Sequence, residues 1–273
     1  MTTQYLTHQS GQLAYDDQGN GPLILCAPSL GDVRAEYRFL APRLTAAGFR
    51  VVTLDLRGLG ESSTQWDDFS VAGVGSDMLA VIRHLDSGPA VIVGTSMAAG
   101  AAVWAAAEAP ELVAGLVLIG PFVRGETSTF NALLYTALFN RLWGAQAWRW
   151  YYSTLYPTHK PADFAAYKTA LGANLKELGR LEALQAMMRA SKAASAARVG
   201  SVSVPALVVM GSKDPDFPNP AAEAAWVAAA VHGRHVLIDG AGHYPHAEMP
   251  DTTAPLIVDF LQTVTAGARP HAA

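Results

Sequence analysis

The chain has 273 residues, 51% of them hydrophobic and 15% charged, a balance that suits a well-filled globular core and excludes intrinsic disorder. A formal net charge of −4 leaves no basic field to collect nucleic acid or anionic lipid, and the single cysteine, Cys26, excludes an intramolecular disulfide. The opening Met1-Thr2-Thr3-Gln4-Tyr5 lacks the basic start and apolar stretch of a signal peptide, and no apolar segment is long enough to span a bilayer, so a cytoplasmic protein is expected.

Residues 4–8 and 12–17, separated by Ser10-Gly11, predict a hairpin closed by Gly19-Asn20-Gly21-Pro22. Residues 23–27 then read as a buried strand holding Cys26, 33–47 as a helix ended by Gly48, and 50–54 as another strand. The alternation continues with a helix over 71–85, a strand over 90–95, a helix over 97–109 stopped by Pro110, and a strand over 113–119. From 122 to 202 no strand is expected. Phe130, Leu133, Leu134, Leu138 and Leu142, and later Leu175, Leu178, Leu181 and Leu184, recur at helical spacing there. The rhythm resumes with a strand over 206–210, a helix over 220–231, a strand over 235–238 and a helix over 253–264, before a frayed tail from 266. Continuous apolar strands alternating with helices imply an α/β fold, a mostly parallel sheet covered by helices on both faces. Residues 1–121 and 203–273 would form one core domain, and 122–202 a helical cap inserted into it.

The apolar run 91–93 ends in small residues around one serine, Gly94-Thr95-Ser96-Met97-Ala98. A strand that reverses sharply into a helix brings together the residues two before and two after the turn, so both must be small, as Gly94 and Ala98 are. Ser96 would then stand clear of the packed layer as a nucleophile elbow, with the next N–H, that of Met97, placed to hold an oxyanion. A plain capping serine shares this local pattern.

In an open parallel sheet, ligands gather at the carboxyl ends of the strands. Two loops there carry suitable partners, Gly211-Ser212-Lys213-Asp214-Pro215-Asp216 and Asp239-Gly240-Ala241-Gly242-His243. A serine hydroxyl needs a base to take its proton, and an imidazole does so best when a carboxylate fixes its tautomer. Ser96 and His243 fill two roles, and Asp214 and Asp216 compete for the third. His246 and Glu248 lie beside His243, but no oxygen-rich or cysteine cluster completes a metal site, so no metal is expected.

These segments resemble the α/β-hydrolase superfamily in its cap-bearing, single-domain branch, over nearly the whole chain. Asp55-Leu56-Arg57-Gly58-Leu59-Gly60-Glu61-Ser62 is similar to the family's Asp-x-Arg-Gly-x-Gly-x-Ser loop, Gly94 to Ala98 to its elbow, Gly211 to Asp214 to its acid loop, and Gly240 to His243 to its histidine loop. The resemblance implies an α/β-hydrolase fold with Ser96 as nucleophile, Asp214 as orienting acid and His243 as general base. Two departures stand out: Ala98 replaces the second elbow glycine, and Pro28-Ser29-Leu30-Gly31 replaces the common His-Gly, closer to the variant of enol-lactonase-like members. The oxyanion donors would be the N–H groups of Leu30 and Met97, since Pro28 has none and stands at neither position. Arg57 and Ser62 read as structural braces of their loop.

The insertion is rich in rings, among them Trp143, Trp148, Trp150, Tyr151, Tyr152 and Tyr156. Most should form the cap's own core, with Trp143, Trp148 and Tyr152 the candidates to line a substrate pocket. The leading expectation is a serine hydrolase of a small ester, lactone or thioester that bears an apolar or aromatic part, working without a cofactor; a homodimer is compatible with it. Carbon–carbon bond hydrolysis of ring-cleavage products uses the same triad, and a cyclase, lyase or binding protein would reuse the pocket. No aspartate occupies the nucleophile position, which disfavours dehalogenase and epoxide-hydrolase readings.

Overall fold

The structure, a computed structural model, describes residues 2–125 and 129–267, without the side chains of 129–132 and 267; Phe130 and the tail beyond 267 lie outside that description. Its strands are β1 (Gln4–His8), β2 (Gly11–Gln18), β3 (Leu23–Ala27), β4 (Arg50–Leu54), β5 (Ala90–Thr95), β6 (Val113–Ile119), β7 (Ala206–Gly211) and β8 (Arg234–Ile238). They form one sheet in the order β1-β2-β4-β3-β5-β6-β7-β8. The β1-β2 and β2-β4 pairs are antiparallel and all others parallel. Successive residues of the central strands bury on opposite faces. Leu25, Ile92, Leu118 and Val208 join one core, and Cys26, Val93, Val117 and Val209 the other.

The helices are α1 (Ala41–Ala46), α2 (Val71–Leu85), α3 (Met97–Glu108), α4 (Thr129–Leu138), α5 (Gly144–Thr154), α6 (Phe164–Asn174), α7 (Arg180–Arg189), α8 (Ala193–Ala196), α9 (Pro220–Ala230), α10 (Pro245–Glu248) and α11 (Pro250–Gly267). Residues of α2, α3 and α9 cover the first face of the sheet, and those of α1 and α11 the second. Alanine-rich α3 is buried nearly all round, as expected of a helix without a polar face. No helix among the described residues is long and apolar enough to cross a membrane.

Three departures from the sequence reading have physical causes. The helix expected over 33–47 is a 3-10 turn, Arg34–Tyr37, followed by α1, because Pro42 has no N–H to donate and sits in the first turn of a new helix. The break lets the Tyr37 hydroxyl donate to Ala27 O (2.8 Å) at the end of β3. The closing helix begins at Pro250, three residues earlier than expected, since proline suits a first turn. Finally, α4 forms, but Leu133, Leu134 and Leu138 face outward, as does Leu142 beyond it, while Phe139 packs into the core.

Candidate active site

Ser96 joins β5 to α3 at φ 58° and ψ −119°, a conformation that non-glycine residues hold only where the surroundings enforce it. Its N–H donates to Ile119 O of β6 (2.8 Å), and its carbonyl accepts from Phe122 N–H (3.1 Å), so the turn is pinned on both sides. A Cβ on Gly94 would lie 2.6 Å from the Ala98 carbonyl oxygen. It is the backbone of residue 98 that makes this approach, which is why alanine is tolerated there. The Ser96 side chain caps no helix N–H, contrary to the capping alternative, and it lines a cavity of about 130 Å³.

His243 lines the same cavity from the loop after β8. Its Nδ1 lies 2.7 Å from Asp214 Oδ2 and 3.8 Å from Asp216 Oδ2. The geometry thus separates the two rivals. Asp214 accepts the Asp216 N–H (3.0 Å) and holds the imidazole, while Asp216 accepts the Tyr151 hydroxyl (2.6 Å) of α5. With Nδ1 engaged, Nε2 is the nitrogen left for a substrate-side proton. Burial opposes a charge on the ring, but the Asp214 and Asp216 carboxylates outweigh it and hold the His243 pKa up at about 9. Gly120, at φ 50°, clears space for the ring: a Cβ there would stand 3.0 Å from His243 Nδ1.

Leu30 and Met97 both line the cavity. Met97 is the first residue of α3, where an N–H has no intrahelical acceptor. In the facing loop, Ser29 N–H is already taken by the buried Glu36 carboxylate (2.8 Å), and Ser29 Oγ meets Tyr244 OH at 2.5 Å. Leu30 carries the next N–H along that loop. Asp32, one residue beyond Gly31, is wholly buried and accepts the Tyr152 hydroxyl (2.9 Å) of α5 and the Tyr167 hydroxyl of α6. Burial, reinforced by the Glu36 carboxylate, raises its pKa to about 7 against these hydrogen bonds.

Of the three cap aromatics named from the sequence, only Trp148 reaches the cavity. Trp143 precedes α5 and is exposed, and Tyr152 turns into a cluster with Tyr156, Phe164, Tyr167 and Tyr244. Residues 148, 151 and 155 share one helix face and line the cavity, whereas 152 and 156 lie about 100° round the helix. Tyr151 therefore takes the place assigned to Tyr152. Lys192 and Met188 also line the cavity, and no motif marks them. Glu248 ties the segment between β6 and β7 to the histidine loop by accepting N–H groups of Gly242 (2.6 Å), Thr158 (2.9 Å) and His159 (2.7 Å).

Other polar residues prove to be braces. Arg57 is fully buried and bonds Asp77 through two nitrogens (2.7 and 2.6 Å), and Ser62 Oγ donates to Asp55 O (2.8 Å). His246 faces Glu36 at 3.1 Å, so it and Glu248 do not converge with His243 on a metal. Asp214, Asp216 and His243 do bring ligand atoms within 4.8 Å of one another, but these atoms already serve the imidazole, a backbone N–H and Tyr151.

A family model described as alpha/beta hydrolase fold matches residues 22–250. The chain belongs to that family. A 2-(acetamidomethylene)succinate hydrolase of Mesorhizobium japonicum is 27% identical over 257 residues, covering 90% of this chain and 90% of that one. A Mycobacterium tuberculosis protein named as a non-heme bromoperoxidase, BpoC, is 39% identical over 108 residues, 39% of this chain and 41% of its own length, so this chain matches only about two fifths of that relative. Among solved structures, the enol-lactonase of Burkholderia xenovorans LB400 superposes with a TM-score of 0.79 at 22% identity, covering 95% of this chain and all of that one. At that identity the likeness is one of fold.

Proposed function

We propose that this α/β hydrolase cleaves a small carboxylic ester, lactone or thioester through an acyl-enzyme on Ser96. The observation that carries the reading is the meeting, in one cavity, of a serine held in a strained turn with an imidazole whose far nitrogen is bonded to a buried carboxylate. His243 Nε2 takes the Ser96 proton as the oxygen attacks the carbonyl carbon. The charge that develops on the carbonyl oxygen is met by the N–H groups of Leu30 and Met97. His243 returns the proton to the leaving group, then activates water to release the acid, while Asp214 stabilises the imidazolium. A cavity of about 130 Å³ walled by Phe122, Trp148, Tyr151 and Met188 suits a short or compact acyl group with an apolar part.

The test joins fluorophosphonate labelling with a panel of para-nitrophenyl esters of increasing acyl length. Wild type should label at Ser96 and turn over the short members, and Ser96→Ala should lose both, by about 10⁴- to 10⁶-fold in rate, while keeping its circular dichroism spectrum. Turnover that survives in a folded Ser96→Ala protein would remove the nucleophile from this account.

A further inference from the structure

Among the described residues lining the cavity, tyrosines aside, three carry or can carry charge, His243, Asp216 and Lys192. The first two are engaged with Asp214 and Tyr151. Lys192 precedes α8 and is half-buried, and its side-chain ammonium has neither a hydrogen bond nor an ion pair with any described residue. Its ammonium stands 6.0 Å from the centre of the Phe122 ring, which stacks on Phe217 at 4.6 Å and lies 6.0 Å from the His243 ring. Burial lowers the pKa of this amine, and no carboxylate among the described residues offsets the loss of hydration. A lysine with no such task carries its head out to water, whereas this one is drawn toward the wall of a reactive cavity.

We propose that Lys192 anchors a carboxylate on the substrate, so that the hydrolase prefers a carboxylate-bearing small ester or lactone to its neutral counterpart. A single ammonium, with the Asp216 carboxylate in the same cavity, matches a monoanion; a phosphate dianion would bring two negative charges to one countercharge. A lysine also suits a small terminal carboxylate, since it binds as a point charge and needs no planar fork. The inference rests on the serine-hydrolase reading for the bond that is cleaved, but not for the binding of the anion.

Binding is therefore measured without chemistry, in Ser96→Ala protein, by NMR titration with the monomethyl and dimethyl esters of succinate, glutarate and adipate. At one chain length the monoester should bind about 10- to 100-fold more tightly than the diester, the range for a hydrogen bond to a charged group. The preference should vanish in Ser96→Ala/Lys192→Met and return in part in Ser96→Ala/Lys192→Arg. Wild type should show the same order in kcat/KM by pH-stat. Equal binding of monoester and diester to Ser96→Ala at all three lengths overturns the proposal, with no need for the lysine variants to fold. So does a preference that persists unchanged in a folded Lys192→Met protein. A lysine-dependent preference in a protein whose Ser96 neither labels nor turns over these esters leaves the anchor standing and removes the serine-hydrolase reading instead.

Discussion

His243 faces two carboxylates of unequal duty, and the inequality is measurable. Asp214 sits 2.7 Å from Nδ1 and Asp216 3.8 Å away, so Asp214→Asn should cost about 10⁴-fold in kcat by favouring the wrong tautomer, and Asp216→Asn far less. A larger loss in Asp216→Asn would reverse the assignment. Because the imidazole is protonated below about pH 9, and only its neutral form accepts the serine proton, kcat/KM should climb tenfold per pH unit from pH 6 and level off near 9. Asp216→Asn removes one of the carboxylates that raise this pKa, so the break should move to lower pH; an unmoved break would deny Asp216 that influence. The sign for stability is opposite to that for activity. A histidine pKa raised from 6.5 to about 9 contributes stability that is complete below pH 6.5 and is lost as pH rises through 9.

At the scale of elements, the seam between the helical β6–β7 segment and the histidine loop is Glu248. It is buried and accepts three backbone N–H groups, so Glu248→Ala leaves orphaned donors on both sides and should lower unfolding free energy by about 2–4 kcal/mol in urea titration. A loss below 0.5 kcal/mol, a surface-substitution value, would contradict that role. Trp148→Ala should destabilise by about 3–5 kcal/mol and, in protein that remains folded, shift the preferred para-nitrophenyl ester to a longer acyl chain, because the ring both packs on Gly31 and walls the cavity. An unchanged ranking would place the selectivity elsewhere. These elements also show where sequence reading stops. The elbow was legible because close backbone approach demands small residues at fixed offsets, and the parallel strands because burial on both faces leaves continuous apolar runs. The choice of Tyr151 over Tyr152 was not, because it depends on the rotation of α5 about its axis, which no local pattern encodes when both neighbours are aromatic. The roles of Glu248, Asp32 and Lys192 were not legible either, since Glu248 and Asp32 bind residues of the β6–β7 segment 89 or more positions away and Lys192 would act on a ligand.

Across the whole molecule, the helical segment between β6 and β7 is continuous with the interior of the sheet. Phe139, Trp148, Leu181, Leu184 and Met187 belong to the same buried cluster as Leu25, Ile92 and Leu118 of the sheet. The described protein should therefore melt as one cooperative unit, with calorimetric and van't Hoff enthalpies in agreement. A separate early transition, absent when the cap is proteolysed away, would show an independently folding lid.

The bonds at Asp32 carry this unity into the history of the protein. One residue past Gly31, a buried carboxylate answers two tyrosines from two different helices, α5 and α6. A segment borrowed from a relative without those hydroxyls would leave the carboxylate unanswered beside the loop proposed to hold the oxyanion. The natural unit of exchange among such enzymes is thus not the stretch bounded by its two chain crossings. It is that stretch together with residue 32, and recombination or engineered chimeras that move one without the other should yield proteins that fold poorly or catalyse poorly.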